Sequence, residues 1–275
     1  MSFIFLLTLI LACGTVSQRK NITYIRIKGS DTMANLTALW AEEYMKSHPD
    51  ISIYSEGGGS ALGIRALIEG EIDICAASRP MLPHEVRQLA EKHNKLGIAF
   101  MVAKDALSVY LHPANPVRDL SMLQIKNIFT GKITSWNEIS DFFDEPIQVI
   151  NRNPNSGTYL YFKEHVLNDE DYTSTAIIVP STQAVVNTII ENPNSIGYGG
   201  TAFGPEVIHC RIDGVAPTIE NVALDLYPIA RYLYLYTIDS PRGSIKDFIN
   251  WILDIPGQAM VARAGYIPLW RSSSF

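Results

Sequence analysis

Histidine, cysteine and clustered basic residues are all scarce in this 275-residue chain, and each shortage removes a class of function. The six histidines are scattered and no cysteine–histidine spacing of the zinc type occurs, so no metal and no cofactor is expected. The 22 lysines and arginines form no basic run and are outnumbered by 28 acidic residues, for a formal net charge of −6, which argues against nucleic acid as a partner. The apolar run from Phe3 to Ala12 falls short of the ~20 residues that cross a bilayer. What remains is an acidic chain long enough for two domains of ordinary size and an ample core.

Against that background the segment Arg152-Asn153-Pro154-Asn155-Ser156-Gly157-Thr158 stands out. Polar turn residues give way to a helical pattern at Ser156, which puts Ser156, Gly157 and Thr158 on a first helical turn. The first N–H groups of a helix have no internal partner, and its dipole favours negative charge at that end. Gly157 allows close approach to the backbone, the two hydroxyls add donors, and Arg152 supplies a cationic fork. Taken alone, the segment is more readily read as a capped helix beside an incidental arginine.

Two further turns have the same composition. Gly29-Ser30-Asp31-Thr32 follows the strand-like Ile22–Ile27 and precedes Leu36, Leu39, Trp40 and Tyr44 at helical spacing. Gly57-Gly58-Gly59-Ser60 lies between the strand Ile51–Tyr54 and a helical segment at Ile64–Ile68. Three such turns in one chain suggest a small anion held by several helix ends and hydroxyls.

These turns, with Asp73-Ile74-Cys75-Ala76-Ala77-Ser78-Arg79-Pro80, occur in an order and spacing that resembles the phosphate-binding proteins of bacterial high-affinity phosphate ABC importers. Leu120–Trp136 and Ile196-Gly197-Tyr198-Gly199 look like further signatures of that family, and the resemblance runs from about Ile22 to about Pro268. It implies an α/β, two-lobed periplasmic-binding-protein-like fold of type II with the ligand in the cleft between the lobes. Lobe I would be residues 22–104 plus 226–275 and lobe II residues 105–225, with crossings near Ala103–Ala106 and Leu224–Tyr227. The implied phosphate ligands are Ser30, Asp31, Thr32, Ser60, Ser78, Arg79, Arg152, Ser156, Gly157 and Thr158. The implied partners are inorganic phosphate and the transmembrane subunits of an ABC permease, bound by a monomer. Some family members carry an aspartate where this chain has Ser78, and that carboxylate accepts a proton from the bound phosphate. A serine hydroxyl can donate or accept, so selection of protonated phosphate cannot rest on a carboxylate there. Asp31 could replace it or simply cap its helix, and Arg79 could bind anion or form a surface or hinge salt bridge.

The amino-terminal apolar run matches the core of a secretory signal peptide, and Ile10-Leu11-Ala12-Cys13 has the form of a lipobox. Residues 1–13 are therefore read as signal peptide and lipobox, with Cys13 lipidated and the protein exported and anchored to a bacterial membrane. No lysine or arginine precedes the run, and a plain signal peptide with a chance cysteine is the alternative. Cys75 reads as a small buried hydrophobe, and nothing in its separation from Cys210 compels a disulfide.

The rest of the chain alternates strand and helix patterns, an α/β order. Gly97–Ala103 and Ala106–Leu111 read as two strands, Ile147–Ile150 as a short strand delivering Arg152, and Tyr227–Tyr236 as an apolar, aromatic strand packed in the core or hinge. Three other functions fit the donor set: a phosphoryl-transfer enzyme, a carrier of sulfate, molybdate or an organic anion, and a phosphate sensor. The first lacks a nucleophile–base pair or histidine in the turns.

Overall fold

The computed structural model describes residues 22–141 and 143–270. Cys13 and the expected signal peptide lie outside them. The chain opens with a parallel βαβ unit. Strand β1 (Thr23–Gly29) buries Ile25 and Ile27 between exposed Tyr24 and Arg26, the period-two pattern of a sheet covered on its inner face. Helix α1 (Ala34–Ser47) returns to β2 (Ile51–Glu56), and α2 (Ser60–Glu69) leads to β3 (Ile74–Ala77), both pairing parallel with β1. Gly70, left-handed at φ 76°, ends α2 where a side chain would be strained. Helix α3 (Pro83–His93) follows.

Strand β4 (Ile98–Leu111) is continuous over 14 residues, where the sequence pattern suggests two strands. The polar pair Lys104-Asp105 looks like a break but does not interrupt pairing, because each side chain finds a charged partner, Asp225 and Arg231 respectively. The second half contains β5 (Asp119–Leu120), α4 (Met122–Phe129), β6 (Gln148–Arg152), α5 (Gly157–His165), β7 (Ile177–Val179), α6 (Thr182–Glu191), β8 (Ser195–Gly200), β9 (Ile208–His209), β10 (Arg211–Ile212) and α7 (Ile219–Ala223). Ser121 and Gln124 cap α4 reciprocally, each side chain accepting the other's backbone N–H. The chain returns through β11 (Ala230–Thr237) to α8 (Gly243–Leu253) and α9 (Ile255–Arg263).

Among the described residues one path of strands runs β2-β1-β3-β11-β4-β8-β6-β7, with β9 also on β4. Its middle explains the two-lobed form. From Ile98 to Ala106, β4 pairs antiparallel with β11; from Leu107 to Leu111 it pairs with β8. The same strand thus belongs to one sheet at its start and to the other at its end, handing over at Ala106–Leu107. The first sheet is covered on one face by α1, α8 and α9 around Trp40, Phe248 and Val261, and on the other by α2 and α3 around Leu67 and Leu89. The indole N–H of buried Trp40 donates to the Gly257 carbonyl at 2.9 Å, fixing α1 to α9. In the second half Trp136, Phe129, Phe162 and Tyr198 form the centre of a separate core.

Candidate functional site

All three glycine- or serine-rich turns point to one place, where the halves meet. In the first half, β1 ends at Gly29 and leaves Ser30, Asp31 and Thr32 ahead of α1; Ser60 opens α2; and Ser78 follows β3. In the second half, Arg152 is the last residue of β6, Ser156 caps α5, and Gly157 and Thr158 form its first turn. Ser30, Thr32, Ser60, Ser78, Arg152, Ser156 and Thr158 are all buried although none is apolar. Burial of so many polar groups is tolerable only if they have partners.

Some of the partners cross between the halves and others lie within one. The hydroxyls of Thr32 and Thr158 lie 2.9 Å apart. The Ala61 N–H donates to the Asn155 carbonyl at 3.2 Å. Ser60 and Ser78 bring their hydroxyls to 3.3 Å, and the Ser78 N–H donates to Ser60 Oγ at 3.1 Å. Gly157 packs directly on this serine pair: a Cβ there would be 2.7 Å from Ser78 Oγ and closer still to Ser60 Oγ. The glycine is therefore required by the close approach of two serine side chains, where the sequence reading expected the approach of a ligand. Gly59 is similar, since at φ 109° a Cβ would meet the Asn155 carbonyl oxygen at 2.6 Å.

Arg152 holds the centre. Its Nη1 donates to Thr182 Oγ1 at 2.8 Å, and its Nη2 to Asp31 Oδ2 at 2.8 Å and to the Pro180 carbonyl at 3.2 Å. Asp31 is itself fixed, accepting the Gly58 N–H on its other oxygen at 2.8 Å. Its carboxylate thus ties the first half to the guanidinium of the second. Burial pulls the Arg152 pKa down, Asp31 opposes that, and the like charge of Arg231 adds to it. Ser156 Oγ accepts the N–H groups of Thr158 and Tyr159, so it caps α5 with its lone pairs and keeps its proton available to a ligand.

Arg79 has a different outcome. Its guanidinium forms a two-pronged pair with Glu85, at 2.8 and 2.7 Å, and also donates to the Pro80 carbonyl. The salt bridge read as an alternative from sequence is present, and it is buried.

Sequence reasoning missed Arg231. It sits in β11 opposite Asp105 of β4, and its Nε and Nη2 donate to Asp105 Oδ2 at 3.0 and 2.9 Å. The same Nη2 lies 3.1 Å from Thr158 Oγ1 and 3.5 Å from Thr32 Oγ1, placing a second cation beside the turns. Burial pushes the Asp105 carboxyl upward, and Arg231 opposes it. The available signal was a lone arginine in an otherwise apolar and aromatic strand, which must be paired if buried. Arg152 Nε, Arg231 Nη1 and Asp105 Oδ1 are buried without a hydrogen-bond partner. Chemically the site offers hydroxyls, helix-start N–H groups and two guanidiniums, a donor set for an oxyanion.

Residues 14–254 match the PBP superfamily domain. The phosphate-binding protein PstS of Pseudomonas aeruginosa is 33% identical over 263 residues, covering 88% of this chain and 81% of its own. The protein of the same name from Bacillus subtilis is 31% identical over 248 residues, covering 89% and 80%. In structure, a chain from Clostridium perfringens described as a phosphate ABC transporter substrate-binding protein, solved with bound phosphate, superposes with a TM-score of 0.84 at 30% identity. That match covers 90% of this chain and 100% of the other.

Proposed function

The chain belongs to the phosphate-binding proteins of ABC importers within the PBP superfamily, and from that membership we propose that it binds inorganic phosphate between its halves and delivers it to an ABC-type permease. The observation that carries the reading is the convergence of Thr32, Ser60 and Ser78 from one half on Arg152, Gly157 and Thr158 from the other. An anion taking donors from both halves stabilises their closed arrangement, because only closure completes its donor set. The closed arrangement is then the form the permease recognises.

The proposed ligands are Ser30, Thr32, Ser60, Ser78, Arg152, Ser156, Gly157 and Thr158. Asp31 acts as the carboxylate that positions Arg152, and Arg79 lies outside the set because Glu85 occupies its guanidinium. The lobes are residues 22–104 with 226–275, and 105–225, a division supported by the change of partner along β4. Binding rather than catalysis is proposed because the relatives the chain matches are named phosphate-binding proteins. Export, lipidation of Cys13 and a monomeric state complete the proposal. No helix among the described residues is long and apolar enough to cross a membrane.

Calorimetric titration of the chain from Gln18 to Phe275, stripped of ligand, with phosphate and then sulfate on either side of neutral pH tests the reading. One-to-one phosphate binding with little sulfate response is expected. Preference for sulfate would keep the oxyanion site and overturn the ligand; no response to either would overturn the site.

A further inference from the structure

The two buried arginine–carboxylate pairs at the site are mounted differently. Asp31 and Arg152 come from opposite halves, so any motion that parts the halves pulls them apart together with the Thr32–Thr158 and Ala61–Asn155 contacts. Arg231 and Asp105 face each other on β11 and β4, the two strands that join the halves, in a register hydrogen-bonded from Ala230–Ala106 to Thr237–Ile98. Opening about those strands leaves this pair intact. Arg231 also reaches hydroxyls of both halves, Thr32 and Thr158, and keeps a buried Nη1 with no partner.

Arg231 has a second aspect. It lines a cleft of about 390 Å³ bounded by Arg79 and Met81 of the first half and by Tyr161 and Glu164 of the second, and Arg152 is not among the lining residues. Its guanidinium lies 5.6 Å from the centre of the Tyr161 ring, a cation–π contact that leaves its hydrogens free for polar partners. Of the two site cations, Arg231 is thus the one that faces both the buried hydroxyls and the cleft.

We infer that Arg231 is the anion's point of first capture, a cation held in place on the joining strands by Asp105, and that Arg152 is delivered to the bound anion by closure. This deepens the phosphate-binding reading and rests on it. In the open protein Arg231 presents a charged donor with its geometry already set, whereas Arg152 lies on the departing half. Loss of the preset cation then slows association, and loss of the delivered one speeds release.

Equilibrium dialysis of the full chain against radiolabelled phosphate gives Kd, a chase with unlabelled phosphate gives the dissociation rate, and their ratio gives the association rate. Arg231→Gln is expected to slow association by about tenfold or more and to flatten its dependence on ionic strength. Arg152→Gln is expected to change association by less than about threefold, with its loss of affinity in faster release. The Asp105→Asn/Arg231→Gln pair, which leaves no lone buried charge, is expected to associate as slowly as Arg231→Gln, and it decides the matter if the single variant fails to fold. Association at the wild-type rate in Arg231→Gln or in the Asp105→Asn/Arg231→Gln pair, or a slower association in Arg152→Gln than in Arg231→Gln, would overturn the inference while leaving the phosphate site standing. A wild-type chain that takes up no phosphate would instead overturn the functional reading beneath it.

Discussion

Arg79 and Arg152 are both buried, both lie at or just beyond the end of a strand, and both are paired with a carboxylate, yet the pairs differ in what they hold together. Arg79 binds Glu85 within one half, and Glu85 also accepts the Leu82 N–H at 2.7 Å, so this pair secures the start of α3. Arg152 binds Asp31 across the two halves and shares its remaining donors with Thr182 and the Pro180 carbonyl. A guanidinium whose partners are all local contributes to the stability of one lobe. One whose partners lie across a cleft responds to whatever joins or parts the lobes. That difference in partners is the ground on which Arg152 is proposed as a ligand and Arg79 is left out of the proposed set.

The comparison breaks most visibly at Arg152. Arg152→Ala removes the central cation and leaves Asp31 without its partner, and phosphate affinity should fall on the order of a thousandfold, about 4 kcal/mol, by calorimetry. Affinity near wild type would remove Arg152 from the site. Arg79→Ala should do the reverse. It leaves the buried Glu85 carboxylate uncompensated, a loss of about 3 kcal/mol or more in urea unfolding, while phosphate affinity stays within about threefold once folded protein is assayed. A large loss of affinity with little loss of stability would reverse the roles assigned to the two arginines. Gly157→Ala should cost about a hundredfold in affinity by preventing close approach of the halves, without comparable destabilisation, because its obstruction lies at Ser60 and Ser78 across the cleft.

The same contrast shows what could be read from sequence and what could not. The start of α5 at Ser156, the turn after β1 and the glycine before α2 were legible, because capping and backbone freedom are chemistry between near neighbours in the chain. The need for glycine at 157 was legible as a category, though not its cause, contact with two serines of the other half. Partnerships were not legible. Arg231 and Asp105 are 126 positions apart, and only the register of β4 on β11 brings them together. Lys104-Asp105 looked like the end of a strand because two charges in an apolar run suggest solvent; tertiary ion pairs allow β4 to continue. The choice between ligand and salt bridge for Arg79 likewise depended on Glu85, which a helical pattern alone leaves on either face.

The smallest expected effect concerns Ser78, where the family resemblance implies an aspartate in some members. Ser78 lies in the serine pair against Gly157, and Asp31, the carboxylate nearest Arg152, already receives hydrogen bonds on both oxygens. The wild-type site is therefore dominated by donors at this point and should bind phosphate with a shallow pH dependence. Ser78→Asp adds a charged acceptor that can take a hydrogen bond from a protonated oxygen of phosphate but repels the dianion more than the monoanion. Affinity in that variant should fall as pH rises and monoanionic phosphate becomes the dianion, by about tenfold, or ~1.4 kcal/mol, relative to wild type over the same range. Sulfate, which carries no proton near neutrality, should be rejected more strongly by the variant than by wild type. Parallel pH profiles for the two proteins would mean that another group already accepts the ligand's proton, and Asp31 and Asp105, the carboxylates paired with the site arginines, are the ones to test by Asn substitution.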